Sequence, residues 1–284
     1  MPSINWYPGH MARSRRLLGT QLRAVDAVIE LCDARAPIAT RNPDLAAMCA
    51  GKQRILVLNK ADLADERQTA RYVKYFEQAG CTAARFNATG GKTREIVSLI
   101  ERATRPAIER MKARGVNKTA RLMVIGIPNV GKSTFINRLR GGAVAKTADR
   151  PGVTRASQWV KIGPYLELLD TPGMLWPKLE NQESARQLAF LGAIRDQVTD
   201  GEELAAALLE RLMKLAPEAA CARFKLGDSA RDMDGAALLE AACRGRGWLM
   251  SGGRCDLDRA SALVLDEFRA GKVGRITLEP LGGQ

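Results

Sequence analysis

A chain of 284 residues, 46% of them hydrophobic, is long enough for two ordinary domains or one large one and can bury a sizeable core. The formal charge of +13 and the pI near 9.8 favour a polyanionic partner, although a basic surface also serves solubility alone. No apolar run approaches the roughly 18 residues of a membrane span, and six scattered cysteines with no Cys-x-x-Cys pair and no neighbouring histidine argue for buried free thiols in a reducing compartment and against zinc.

The charge is unevenly placed. Lys and Arg stand at 29 against 14 Asp and Glu over residues 1–174, and at 15 against 17 over residues 175–284. Nucleic acid reaching the C-terminal part must therefore use local clusters, either Arg244, Arg246 and Arg254 or Arg269, Lys272 and Arg275.

Residues 1–23 form a basic arm that opens with Trp6-Tyr7-Pro8-Gly9-His10-Met11 and continues into a basic helix. Its arginines and lack of acids resemble a mitochondrial presequence, but Pro8-Gly9 interrupts any amphipathic helix there, so a cytoplasmic protein is expected. Residues 24–32 read as a buried strand, residues 44–50 as a helix, and residues 55–58 as a second strand. Strands alternating with helices predict an α/β fold with a mostly parallel sheet covered on both faces.

The second strand runs into Asn59-Lys60-Ala61-Asp62. A carboxylate can accept from both the ring N–H and the exocyclic amino group of guanine, and adenine offers no such donor pair. Asp62 is thus the candidate base-selecting residue, Asn59 a partner for base and loop, and the Lys60 stem a lid over the ring. A solvated Asn-Lys turn explains the same letters when they stand alone; here they follow a strand, as the chemistry requires. A helix over residues 68–79 stops at Gly80, and a strand over 82–86 leads to Asn87-Ala88-Thr89-Gly90. Ala88 is small enough for its N–H to approach the guanine carbonyl beside Asn87, although a plain glycine turn also fits. A basic helix and linker follow over residues 93–115.

Residues 121–125 are a short apolar strand, and residues 133–140 a helix with Phe135, Ile136 and Leu139 inward. Between them Gly126-Ile127-Pro128-Asn129-Val130-Gly131-Lys132-Ser133, followed by Thr134, fits the phosphate-loop pattern. Strand, glycine-bounded turn and helix N-terminus direct backbone N–H groups, including those of Val130, Gly131 and Thr134, and the helix dipole at one anion. Lys132 adds charge for the outer phosphates, and the Ser133 hydroxyl is placed to ligate Mg²⁺.

Downstream, Thr154 in Pro151-Gly152-Val153-Thr154 is the candidate switch threonine that senses Mg²⁺ and the γ-phosphate, with Thr147 as the alternative. A strand over residues 166–169 ends in Asp170-Thr171-Pro172-Gly173. Asp170 would hold Mg²⁺ through water, and the Gly173 N–H would meet the γ-phosphate. These are the parts of a guanine-nucleotide switch in circularly permuted order, because the base motifs precede the phosphate loop. Permutation is tolerated when the old termini lie close together at the surface.

The permuted order, Pro8-Gly9-His10-Met11, Asp33-Ala34-Arg35, Leu175-Trp176-Pro177 and the closing Gly271-Lys272-Val273-Gly274-Arg275-Ile276-Thr277-Leu278-Glu279 together resemble the ribosome biogenesis GTPase A family over nearly the whole chain. That resemblance implies a GTPase domain over residues 24–175 and a C-terminal helical domain over 176–284 that contacts ribosomal RNA. It implies a monomeric factor acting late in assembly of the large ribosomal subunit, with GTP as substrate, GDP as product, and hydrolysis that is slow alone and stimulated by ribosomal particles. Residues 183–195, 202–215, 235–244 and 257–270 read independently as amphipathic helices, the last capped by Asp256 and stopped by Gly271. RNA binding by that bundle stays open on its charge balance; the stretch from Arg244 to Arg254, with Trp248 for stacking, is its candidate surface.

Met174 follows the switch glycine where many GTPases carry a water-orienting glutamine. Similar proteins draw that group from elsewhere, and His10 is the chain's single histidine. Either it swings toward the γ-phosphate and orients or deprotonates water, or it docks the arm with Trp6 and Tyr7. Related phosphate loops use an asparagine at the Asn129 position to bind K⁺; a purely loop-shaping role is the alternative. A nucleotide-gated RNA-binding module with incidental hydrolysis is a second reading of the chain. An ATPase or small-molecule kinase fails on Asp62.

Overall fold

The computed structural model describes residues 16, 18–87, 89–90, 93–115, 119–141, 158–163, 166–171, 173, 182–194 and 200–282. His10, Ala88, Thr147, Thr154 and Met174 therefore lie outside the described residues. The order is β1 (Ala27–Asp33), α1 (Leu45–Met48), β2 (Gln53–Asn59), α2 (Glu66–Gln78), β3 (Thr82–Arg85), α3 (Thr93–Lys112), β4 (Ala120–Ile125), α4 (Lys132–Leu139), β5 (Gln158–Gly163) and β6 (Leu166–Asp170). The helical part follows as α5 (Gln182–Phe190), α6 (Gly201–Leu215), α7 (Pro217–Phe224), α8 (Gly235–Arg246) and α9 (Leu257–Arg269).

The strands form a 6-stranded sheet in the order β3-β2-β1-β4-β6-β5. All pairs are parallel except β5 with β6. β1 is buried at every position, as expected of a mostly apolar strand covered on both faces; its two acids, Glu30 and Asp33, are paired with arginines. Asp33 pairs with Asn59 and Val124 with Asp170, so the C-terminal ends of β1, β2 and β6 fall on the same edge as the phosphate loop leaving β4. In open α/β sheets that edge, where strand order changes direction, is where ligands bind.

One hydrophobic cluster runs from the sheet (Ile29, Val57, Val124, Phe135) through the helical part (Leu188, Leu208, Phe224, Leu239) to Leu278 in the tail. Asp200, Asp234 and Asp256 each accept a backbone N–H at a helix start, which fixes where α6, α8 and α9 begin. Beyond α9, Gly271 turns at φ +72°, where a Cβ would fall 2.6 Å from Leu63 Cδ2. The tail then runs back over the sheet: Ile276 N–H donates to Leu63 O (3.1 Å), Leu278 N–H to Arg35 O (2.7 Å), and Glu279 accepts from Ile38 and Ala39 N–H (2.7 and 3.0 Å). Among the described residues no helix is long and apolar enough to cross a membrane.

One expectation for the helical part is corrected and another narrowed. Trp248, read as a stacking platform, is 6% exposed and lies under the Arg246 guanidinium at 5.0 Å, so its face is already covered. Of the two basic clusters, Arg246 is bonded to Glu267 and to Arg223 O, Arg269 to Ala189 and Phe190 O, and Arg275 to Ala61 and Ala64 O. Those guanidiniums hold the fold together.

Candidate functional site

Apolar β4 delivers the chain into a loop that only small residues can close. A Cβ on Gly126 would lie 2.5 Å from Leu31 O, and one on Gly131, itself at φ +96°, 2.6 Å from Asn59 Nδ2. Gly131 is the N-cap of α4, so Lys132, Ser133 and Thr134 occupy its first turn. Val130 is buried, Ser133 is half-buried and Thr134 exposed.

The base-recognition candidates meet the loop directly. Asn59 Nδ2 donates to Val130 O at 2.9 Å, and Lys60 Nζ donates to Asn129 O at 2.7 Å. Lys60 sits at φ +58° and Asn129 at φ +59°, left-handed conformations that cost a non-glycine residue energy and cluster at ligand sites. Ala61 N–H donates to Phe86 O at 3.1 Å, joining the turn after β2 to the one after β3. There Asn87 Oδ1 accepts from Thr89 N–H (2.8 Å), Thr89 Oγ1 (2.7 Å) and Gly90 N–H (3.2 Å), which closes an Asx turn. Asp62 is exposed on the same rim.

Lys132 is 7% exposed and bends back to donate to Gly126 O (3.1 Å) and Ile127 O (2.9 Å). Burial pushes its amine down to about 8, only partly opposed by Asp170. An entering phosphate would replace those carbonyls with charged oxygens, which hold an ammonium far better. Ser133 Oγ donates to Asp170 Oδ2 at 3.3 Å, bringing two hard oxygen donors together at the helix N-terminus. Such a pair suits Mg²⁺, which takes few protein ligands and completes its shell with phosphate and water.

Gly173 lies against the phosphate loop. A Cβ there would come within 2.8 Å of Pro128 Cα and 3.1 Å of Lys132 Nζ. Gly173→Ala is therefore expected to lift this segment off the loop and slow GTP hydrolysis at least about tenfold, with GDP affinity less affected. Single-turnover hydrolysis beside GDP calorimetry checks this.

The structure thus gathers Asn59, Lys60, Asn129, Val130, Gly131, Lys132, Ser133, Asp170 and Gly173 at one strand edge, with Asp62 and Asn87 on neighbouring turns. It adds residues to which the sequence reading gave no role at the site. The buried pair Asp33 and Arg35 stands beside Lys60, and Gly192 O accepts from Asn129 Nδ2 at 2.6 Å. In the sequence the pair stood only as Asp33-Ala34-Arg35, part of the family resemblance, at the end of the strand beside β4.

A phosphate loop braced by a candidate base-recognition turn from an earlier strand defines a circularly permuted P-loop GTPase. Comparison with known proteins agrees: the family described as 50S ribosome-binding GTPase matches residues 121–216. The chain is 44% identical to Ribosome biogenesis GTPase A of Bacillus cereus, over 97% of this chain and 93% of that one. Among solved structures, GDP-bound YlqF has a TM-score of 0.70 at 27% identity, covering 94% of this chain and 100% of that one. GNP-bound YlqF from T. maritima gives 0.66 at 27% identity, covering 96% and 100%. The chain belongs to the ribosome biogenesis GTPase A family, and its chemistry is GTP hydrolysis.

Proposed function

We propose that this GTPase acts on the precursor of the large ribosomal subunit, late in its assembly, as a cytoplasmic monomer whose helical part contacts ribosomal RNA. The observation that carries this reading is the extent of the kinship: 97% of the chain aligns with a ribosome biogenesis factor, so the helices are shared as well as the nucleotide motifs. Sedimentation with ribosomal particles in a GTP analogue and in GDP tests it. The protein is expected to travel with large-subunit precursors in the analogue and to leave them in GDP. Travel with small-subunit particles, or with none, overturns it.

In this reading Asp62 pairs with the two guanine donors, Lys60 covers the ring, and Asn59 locks the base turn to the loop. Ala88 lends its N–H to the guanine carbonyl. The N–H groups at the start of α4 receive the β-phosphate, Lys132 spans to the γ-phosphate, and the Gly173 N–H meets the γ-phosphate from the switch side. Ser133, Asp170 and Thr154 would hold Mg²⁺, whose positive charge offsets that of the phosphate oxygens. The amide oxygen of Asn129 would hold K⁺, a fit consistent with its Nδ2 being committed to Gly192 O. Comparing rates in K⁺ and Na⁺ tests that role.

His10 orients the attacking water in this scheme, with ribosomal particles stimulating the step. Single-turnover hydrolysis by His10→Ala in their presence is expected to slow by about 10²-fold, with GTP affinity unchanged. An unaltered rate ends the catalytic role.

A further inference from the structure

The Asp33 carboxylate, 1% exposed, gathers donors from two directions. Arg35 contributes its backbone N–H (3.0 Å), Nε (2.9 Å) and Nη2 (2.8 Å), and Lys60 Nζ lies 3.1 Å from Oδ2. Burial alone would raise this carboxyl, but the Arg35 and Lys60 charges outweigh it and hold Asp33 well below the usual carboxylate range. Arg35 has one nitrogen left. Its Nη1 donates to the carbonyls of Phe268 (3.3 Å) and Arg269 (3.1 Å), the last turn of α9, where a cation also complements the helix dipole.

A second path leads from Lys60 to the same place. Lys60 Nζ donates to Asn129 O, and Asn129 Nδ2 donates to Gly192 O. Gly192 in turn lies beside the Arg269 guanidinium, where a Cβ would fall 3.1 Å from Nε. Arg269 donates to Phe190 O (3.1 Å) and Ala189 O (2.9 Å), fixing the end of α5. The contacts therefore close into a ring: Asp33, Lys60, Asn129, Gly192, Arg269, the α9 terminus, Arg35, and Asp33 again.

Two members of this ring, Lys60 and Asn129, line the proposed nucleotide site; the rest do not. Hydrogen bonds to a planar guanidinium are discrete, so a ring built on two of them shifts between arrangements more readily than it stretches. A buried ion pair adds little stability over apolar residues of the same size. The placement of this one between a ligand-facing lysine and a helix end calls for a different account.

We propose that Asp33 and Arg35 are positioning residues that hold Lys60 over the nucleotide and link occupancy of the site to the C-terminal end of α9. Linkage is reciprocal, so nucleotide steadies the α9 terminus and a partner that displaces α9 weakens nucleotide binding. The inference rests on Lys60 and Asn129 lining the guanine-nucleotide site.

The test is amide hydrogen exchange over residues 257–270 of the full chain, with and without GDP, beside GDP affinity by calorimetry. In the unaltered protein GDP is expected to slow exchange at the end of α9. Arg35→Lys keeps a cation for Asp33 but loses the fork to the α9 carbonyls; it should bind GDP within about fivefold of the unaltered protein and lose the GDP-dependent slowing. Asp33→Asn, which releases Lys60, should weaken GDP about tenfold or more. If Arg35→Lys fails to fold, Arg269→Lys, which breaks the second path, makes the same comparison. GDP binding without any effect on α9 exchange, or slowing that survives in Arg35→Lys, overturns the linkage. Absence of GDP binding by the unaltered protein, or a guanine preference that survives Asp62→Asn, overturns the site reading beneath it.

Discussion

Asp62→Asn is expected to weaken GTP binding by about 10²–10³-fold and to shift base preference toward xanthine. Each hydrogen bond to a charged group is worth about 1.5–3 kcal/mol; one is lost from guanine outright and the other loses its charge. Xanthine carries a carbonyl where guanine carries its exocyclic amino group, so it accepts from the side-chain amide that the substitution introduces, a donor that would clash with guanine. The frame around the substitution should not move. Asn59 is bonded to Val130 O, Ala61 N–H to Phe86 O, and Arg275 to the carbonyls of Ala61 and Ala64 (3.3 and 3.1 Å). Calorimetry with GTP, XTP and ATP on both proteins decides the matter. ATP binding the unaltered protein as tightly as GTP would falsify the base assignment.

Lys132→Met should slow GTP hydrolysis by about 10²–10³-fold, the scale of losing one preorganised donor to a developing charge. It also carries a pH signature. Burial holds the amine at about 8 in the protein without nucleotide, and phosphate would return it to the charged form. Binding therefore takes up a proton between about pH 8 and the ordinary lysine range, and affinity falls as pH rises through that window. For folding without nucleotide the sign is opposite: the folded chain binds fewer protons than the unfolded one there, so this residue's contribution to stability rises with pH. Calorimetry in buffers of differing ionisation enthalpy should show proton uptake in the unaltered protein and none in Lys132→Met.

The phosphate loop was legible in the sequence because its chemistry is local. A glycine that must admit Leu31 O at 2.5 Å, or a lysine that follows a helix N-cap, announces itself within a short stretch of chain. Strands β1, β2 and β4 were legible as short, mostly apolar runs, and Asp256 before α9 as a cap. What stayed hidden depends on partners far away in the chain. α7, rich in Ala, shows no clear apolar face until α6 and α8 pack on it. Arg246, Arg269 and Arg275 look like nucleic-acid contacts by composition, yet their donors are taken by Glu267 and by backbone carbonyls. Trp248 beside arginines suits base stacking as well as it suits the intramolecular cation–π contact it makes. Arg35 meets α9 across 233 residues of chain, and no spacing rule reaches that far.

The tail beyond α9 gives the helices a second anchorage on the sheet, since they follow β6 at one end and are fastened through Ile276, Leu278 and Glu279 at the other. A body pinned at two places can pivot about the line between the pins but cannot swing free. Any movement of the helices relative to the sheet is then confined to a rotation of limited arc and leaves their reach unchanged.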